Sequence, residues 1–307
     1  MNAATPLAPV ARIYIEITNV CNLHCSFCAG TARPPAFMTH AFFNHVLREA
    51  QTLTSRVCLH VLGEPCVHPQ LDAFLASCHD HELEVELTTN GTLLQEKSTT
   101  VLAPAVRQIN ISVHNVLDKE KIDWERLDTM LEFVRGAMRT RPDVYINLRL
   151  WNRSAHNAQS DFNAQIREYI ASRLGITCPE IPAGRKSRCL TGRLYLHQDS
   201  RFFWPGQQAV PIREKGFCHA LTTHCAILVD GTVCPCCLDA EGHMALGSLQ
   251  YDTLSQILLS PRATAMREGF ARGILIEKQC QCCDYCRRFP LHRQRAASTL
   301  QAKNSKT

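Results

Sequence analysis

No stretch of the 307-residue chain reaches the ~18 consecutive apolar residues that a membrane-spanning helix requires. The first ten residues carry neither a basic n-region nor an apolar h-region, so no export signal is expected and the cytoplasm is the expected location. No internal repeat is evident, and no disorder is indicated away from the ends. Aromatic residues make up 7%, charged residues 20% and hydrophobic residues 45%, an ordinary balance that excludes neither an enzyme nor a binding module. The formal charge of +5 is partly concentrated in a tail with Arg287, Arg288, Arg293, Arg295, Lys303 and Lys306. No aromatic residues interleave with those charges, so nucleic acid is not an expected partner, and neither is a membrane.

Cysteine, by contrast, is abundant. Seventeen cysteines in a chain without an export signal favour metal binding or redox chemistry over disulfides. Three stand close together as Cys21-x3-Cys25-x2-Cys28, nine lie between Cys218 and Cys286, and Cys58, Cys66, Cys78, Cys178 and Cys189 are scattered and read as structural. Three thiolates on one short loop can hold three corners of a cubane cluster and leave one iron open. They can also be buried apolar residues, or part of a zinc site with His24 as a fourth ligand.

Six short β-rich segments begin at Ile13, Val57, Val85, Gln108, Val144 and, more weakly, Ile176. Their starts are far enough apart for a crossover helix each time, which predicts parallel βα units. Helices are expected from Thr39 as N-cap, with Phe42, Phe43, Val46 and Leu47 on one face, and over 71–81, 119–138 and 161–174. Six units cannot close an eightfold barrel, so a partial (β/α)6 barrel over residues 13–190 is expected, after a short extension over 1–12. Ligands of parallel βα sheets gather at the carboxyl ends of the strands, where the three-cysteine loop begins. From about Thr191 helices thin out and cysteines condense, which marks a second, small α+β domain over 191–290 followed by a disordered basic tail at 291–307. It is expected to hold a hairpin, 226–229 with 232–234 about Asp230-Gly231, and one helix over 254–270.

The ordered motifs resemble the radical S-adenosylmethionine (SAM) superfamily: the cluster loop with Phe27 before its last cysteine, Gly63-Glu64-Pro65 after the second strand, and Thr88-Thr89-Asn90-Gly91 ending the third. The resemblance implies that Cys21, Cys25 and Cys28 hold a 4Fe–4S cluster whose open iron is chelated by SAM. It implies a SAM site that draws on Phe27, Gly63, Glu64, Pro65, Thr89, Asn90 and Ser112, with Arg149 as a partner for the SAM carboxylate. Leu62 stands where the family often has a first glycine. Periodicity leaves open which face of the fifth strand turns inward.

Cys218, Asp230-Gly231, Cys234-Pro235-Cys236-Cys237 and Cys280-x2-Cys283 resemble the SPASM or shorter twitch extension of that superfamily. The likeness assigns Cys218, Cys236, Cys280 and Cys283 to one auxiliary 4Fe–4S cluster, with Cys225, Cys234, Cys237, Cys282 and Cys286 additional. It implies an oxidoreductase that cleaves SAM reductively to a 5′-deoxyadenosyl radical, takes a substrate hydrogen atom and passes an electron to the auxiliary cluster. A flavodoxin- or ferredoxin-like donor would supply the reducing electron. The substrate is a small molecule or a peptide, so maturation of ribosomal peptides or proteins is the alternative activity. The shortness of the stretch before the first strand weakens that alternative. A zinc-binding protein without turnover is the reading from another class.

Overall fold

The computed structural model describes residues 8–118, 121–153, 160–182, 184–205 and 212–289; the expected basic tail lies outside them. One mixed sheet organises the chain. Its strands are β1 (Arg12–Ile15), β2 (Arg56–Cys58), β3 (Glu84–Thr89), β4 (Val106–Ile111), β5 (Tyr145–Arg153), β6 (Ser187–Thr191), β7 (Leu194–Ser200), β8 (His224–Ile227), β9 (Thr232–Cys234) and β10 (Gly247–Ser248), in the spatial order β10-β9-β8-β1-β2-β3-β4-β5-β7-β6. From β8 through β7 every pairing is parallel; β9, β10 and β6 run antiparallel at the edges. The two edge strands do not pair with one another, so among the described residues the sheet stays open.

Alternation of side chains places two chemistries on the two faces of this sheet. Ile13, Ile15, Val57, Val85, Leu87, Ile109, Ile111, Ile146 and Leu148 turn to the helices and are essentially excluded from solvent. Arg12, Tyr14, Cys58, Glu86, Thr88 and Arg149 turn to the concave side and line a cavity. The inward face of the fifth strand is therefore the one that carries Arg149.

The helices cover the outer face. They include α1 (His40–Ala50), α2 (Leu71–Asp80), α3 (Trp124–Thr140), α4 (Ser160–Leu174), α5 (Leu254–Leu258) and α6 (Pro261–Ala271). Thr39 caps α1 by accepting a hydrogen bond from the Phe42 amide, and Phe43, Val46 and Leu47 are buried beneath it. Thr39→Ala should lower unfolding stability by ~1 kcal/mol, the usual cost of a lost N-cap, read as a shift of the urea midpoint without a change in slope.

Three sequence expectations change. The sixth parallel strand is β7, not the segment at Ile176. Gly175 takes a left-handed φ of +66° after α4, and the Ile176 amide bonds back to the Ala171 carbonyl at 3.1 Å. Ile176 is thus the apolar residue of a helix C-cap, which explains its character without a strand. The helix expected over 254–270 is two, because Pro261 cannot continue α5; Ser260 caps α6 with Pro261 at its first turn. The long helix expected from 119 begins at Trp124, where the Asp123 carboxylate receives the Arg126 amide at 2.9 Å.

The cysteine-rich segment does not form a separate sheet. Its hairpin is present, yet β8 lies parallel to β1 with Arg12 opposite His224 and Ile15 opposite Ile227.

Candidate functional site

The three-cysteine loop leaves the carboxyl end of β1 and returns to α1 as a closed excursion. Thr18 donates its hydroxyl to the Ala36 carbonyl at 2.7 Å, and the Asn19 amide both donates to the Pro34 carbonyl at 2.9 Å and accepts from the Ala36 amide at 2.8 Å. Between these staples the Cys28 amide bonds to the Cys25 carbonyl at 3.0 Å, which folds the last two cysteines onto one turn. The sulfurs receive N–H donors: Leu23 to Cys21 and Gly30 to Cys28, each at 3.5 Å. Such donors stabilise negative sulfur and are a lever on cluster potential. Burial pushes the Cys21 and Cys25 thiols up, with neighbouring cysteines adding repulsion at Cys25. A bound cation would deprotonate thiols so placed, so the donor set fits an iron cluster. His24 points to solvent.

The expected wall around this loop assembles from three strand ends. Gly63, at φ +74°, sits so close to the loop that a Cβ would lie 2.3 Å from the Thr18 carbonyl oxygen; only glycine fits. Glu64 is buried and acts as a bracket: its amide donates to the Val20 carbonyl, and its carboxylate accepts from the Cys66 amide at 3.0 Å and the Asn90 amide at 2.6 Å. Burial raises its pKa while those donors hold it down. Pro65 opens the short turn that follows and is buried. Asn90 reaches the loop itself, donating to the Asn22 side chain at 2.8 Å and toward Cys21 sulfur at 3.8 Å. Thr89 joins this bracket instead of lining the cavity: its hydroxyl accepts from the Gly91 amide at 3.0 Å and hydrogen-bonds the Glu64 carboxylate. Ser112 lines the cavity, and Phe27 packs its ring 4.8 Å from that of His114.

The second set of cysteines converges from distant points of the chain. Cys218, Cys236, Cys280 and Cys283 all line the cavity, and so do Cys237 and Cys286. Cys218 sulfur accepts the Ala220 amide at 3.5 Å. Burial raises the thiols of Cys218 to about 11, and those of Cys236 and Cys280 rise by burial with mutual repulsion added. Cys286 moves the other way, drawn down by its contact with Cys283 and by a hydrogen bond from Arg213 at 3.3 Å. Cys225 and Cys234 are buried in the packing on either side of β8 and β9 and do not line the cavity; nor does Cys282. Among the scattered cysteines, Cys58 is more than packing: it faces the cavity with its thiol 3.6 Å from Glu86.

One cavity of about 330 Å³ is lined both by Phe27 of the first cysteine loop and by the second set of cysteines; Cys21, Cys25 and Cys28 themselves do not line it. Its floor carries an ion-pair network in which Glu86 meets Arg12 at 2.8 Å and Arg56 at 3.3 Å. Trp151, Phe202, Trp204 and Tyr285 supply aromatic wall.

Sequence reading missed several contributors. Glu16, wholly buried, accepts from the Leu62 amide at 3.2 Å, the Val229 amide at 3.1 Å and Arg33 at 2.7 Å, so one carboxylate ties the cluster loop, the second strand and the cysteine-rich segment together. Its only signal was a lone acid in the apolar run Ile13 to Ile17. Asn115 donates to the Asn90 carbonyl at 2.6 Å, and Arg126 holds the Asn115 carbonyl while lending positive charge near Cys25. Nothing in the sequence pattern singled these out.

Comparison with known proteins agrees with this architecture. The Radical SAM superfamily model matches residues 15–149, and a SPASM model, described as an iron–sulfur cluster-binding domain, matches residues 218–287. A probable GTP 3′,8-cyclase of Pyrococcus horikoshii is 25% identical over 146 residues, 46% of this chain and 47% of the relative. Another of Methanosarcina mazei is 33% identical over 119 residues, 36% of this chain and 35% of the relative. The matched stretch thus spans half or less of either relative. Among solved structures, anSMEcpe with bound AdoMet and a Kp18Cys peptide superposes with a TM-score of 0.60 at 11% identity, over 93% of this chain and 96% of the other. Streptococcus suis SuiB bound to its precursor peptide SuiA gives 0.59 at 13%, over 91% and 72%. BtrN in complex with AdoMet and 2-DOIA gives 0.50 at 15%, over 86% and 88%. At such identities the likeness concerns the fold. The chain thus carries a radical SAM superfamily domain followed, toward its carboxyl end, by an iron–sulfur cluster-binding SPASM domain.

Proposed function

We propose that this enzyme is a radical SAM oxidoreductase in which Cys21, Cys25 and Cys28 hold the SAM-binding cluster and Cys218, Cys236, Cys280 and Cys283 hold one auxiliary cluster. The observation that carries the reading is one cavity lined by Phe27 of the cluster loop and by Cys218, Cys236, Cys280 and Cys283, so a substrate lying in it would be near both. Once bound, the cluster and SAM supply one-electron cleavage of a C–S bond and abstraction of a substrate hydrogen atom.

The chain's own residues supply position and seclusion. The Thr18 and Asn19 staples hold the ends of the cluster loop together, and Asn90 fixes its Cys21 end. Phe27 and His114 line the cavity with their rings 4.8 Å apart, and Phe27 would offer an apolar face to the bound cofactor. Burial draws His114 down to about 4, so it stays neutral at physiological pH. The substrate radical left by hydrogen-atom abstraction would become the oxidised product by losing a proton and passing one electron to an auxiliary cluster held by the second cysteines, which border the same space.

A maturase of ribosomal peptides or proteins is the second reading, favoured by the likeness to SuiB and anSMEcpe, which were solved with peptides bound. A flavodoxin- or ferredoxin-like donor completes either scheme.

The test is anaerobic reconstitution of the wild type and of Cys236→Ala. The wild type should bind about eight irons per chain, four for each cubane, and the variant about four. The variant should still cleave SAM under strong reductant, while substrate oxidation fails. Equal iron in both proteins would remove the auxiliary assignment, and a colourless zinc protein would remove the enzyme scheme altogether.

A further inference from the structure

Arg149 stands out among the groups that line the cavity. Its guanidinium is desolvated enough that burial lowers its pKa, yet among the described residues no carboxylate lies within ion-pairing distance of it. The nearest acid, Glu86, already shares its two oxygens between Arg12 and Arg56. Arg149 instead lies 4.7 Å over the ring of Trp151, which holds the guanidinium against the cavity wall, and its backbone carbonyl is 3.0 Å from His114 Nδ1. A charge drawn partly out of water is stabilised when something supplies the opposite charge beside it.

A second observation points to the same place. His60 lines the cavity near Arg149, and its Nδ1 is buried without a hydrogen-bond partner. Its ring meets that of Tyr14 edge-on at 5.4 Å. A planar cation and this imidazole therefore line one largely apolar-walled cavity.

SAM carries a carboxylate, but the titratable groups that act on Arg149 are Tyr14, Cys58, Glu86 and Arg12 of the floor, and His114 stands between it and Phe27 of the loop. Those acting on the cluster loop are Glu64 and Arg126, a different set. We propose that Arg149, with His60 beside it, binds a carboxylate of the substrate, and that the substrate is a small organic acid with an apolar or aromatic body that lies against Trp151. The proposal deepens the oxidoreductase reading and rests on this cavity being the substrate site. It reassigns Arg149 from the SAM carboxylate to the substrate. A planar fork matches a carboxylate in two parallel hydrogen bonds, and the aromatic wall matches the body.

The test uses the anaerobically reconstituted enzyme and calorimetric titration with benzoate, inorganic phosphate and SAM. Benzoate should bind the wild type saturably and more tightly than phosphate. Arg149→Gln should weaken benzoate at least tenfold and leave SAM affinity within twofold; Arg149→Lys should recover part of the loss. Unchanged benzoate binding in Arg149→Gln, no benzoate binding in the wild type, or tighter phosphate would overturn the proposal. A loss of SAM affinity in Arg149→Gln would overturn it in favour of the SAM role. A wild type that binds benzoate but not SAM would instead remove the underlying reading and leave the anion site standing.

Discussion

Cys25→Ala is expected to abolish 5′-deoxyadenosine formation from SAM and to lower iron by about four atoms per chain, leaving the auxiliary complement in place. The reason lies in the loop. Cys25 is the middle sulfur of the three, and its carbonyl already anchors the turn to Cys28. Removing its side chain leaves that backbone bond intact, so the loop keeps its shape while the donor set falls to two thiolates. Two ligands cannot hold three corners. Far-ultraviolet circular dichroism should match the wild type, which separates loss of chemistry from loss of fold. If the variant retains its iron and still cleaves SAM at the wild-type rate, the first loop is not the cluster site.

Glu16→Ala should destabilise the protein by about 4 kcal/mol, within the 3 to 5 kcal/mol typical of breaking a buried ion pair from one side. The truncation leaves Arg33 without its ion-pair partner and two amides, Leu62 and Val229, without their acceptor. With ~2.1 cal/mol/K of unfolding entropy per residue, the shift in Tm for a chain of this length is roughly 6 °C. Glu16→Gln should cost less, because one side-chain oxygen remains to accept. The expected signature beyond stability is lower iron loading at both cysteine sets, since the carboxylate joins the segments that carry them. A variant as stable as the wild type by differential scanning calorimetry would show that water or rearrangement replaces the lost acceptor.

Much of the barrel was legible because its strands and helices announce themselves locally. Ile13, Val57, Val85, Gln108 and Val144 open β-rich runs that become parallel neighbours in chain order, and Thr39 caps the helix it was expected to cap. Local periodicity misled where an apolar residue served another purpose. Ile176 is apolar because it covers a helix end, and the run from Leu254 to Phe270 is interrupted by a proline whose effect a periodic count does not register. The cysteine spacings were legible for a different reason: ligands on one loop must sit within a few residues of each other, so their chemistry is written in sequence distance.

The sequence by itself determined the strand order of the parallel half, the place of the cluster loop at a strand's carboxyl end, and a second cysteine-rich segment. Short-range patterns carry all three. Only the tertiary structure decided that β8 docks on β1, that Glu16 binds three segments at once, that Cys58, Cys237 and Cys286 face the same cavity as the assigned auxiliary cysteines, and that Arg149 points inward with no ion-pair partner among the described residues. Those facts depend on which side of a strand becomes concave and on contacts between residues up to about two hundred positions apart, such as Glu16 with Val229. A period-2 pattern fixes that two faces differ; packing of the helices against one of them decides which face encloses the chemistry.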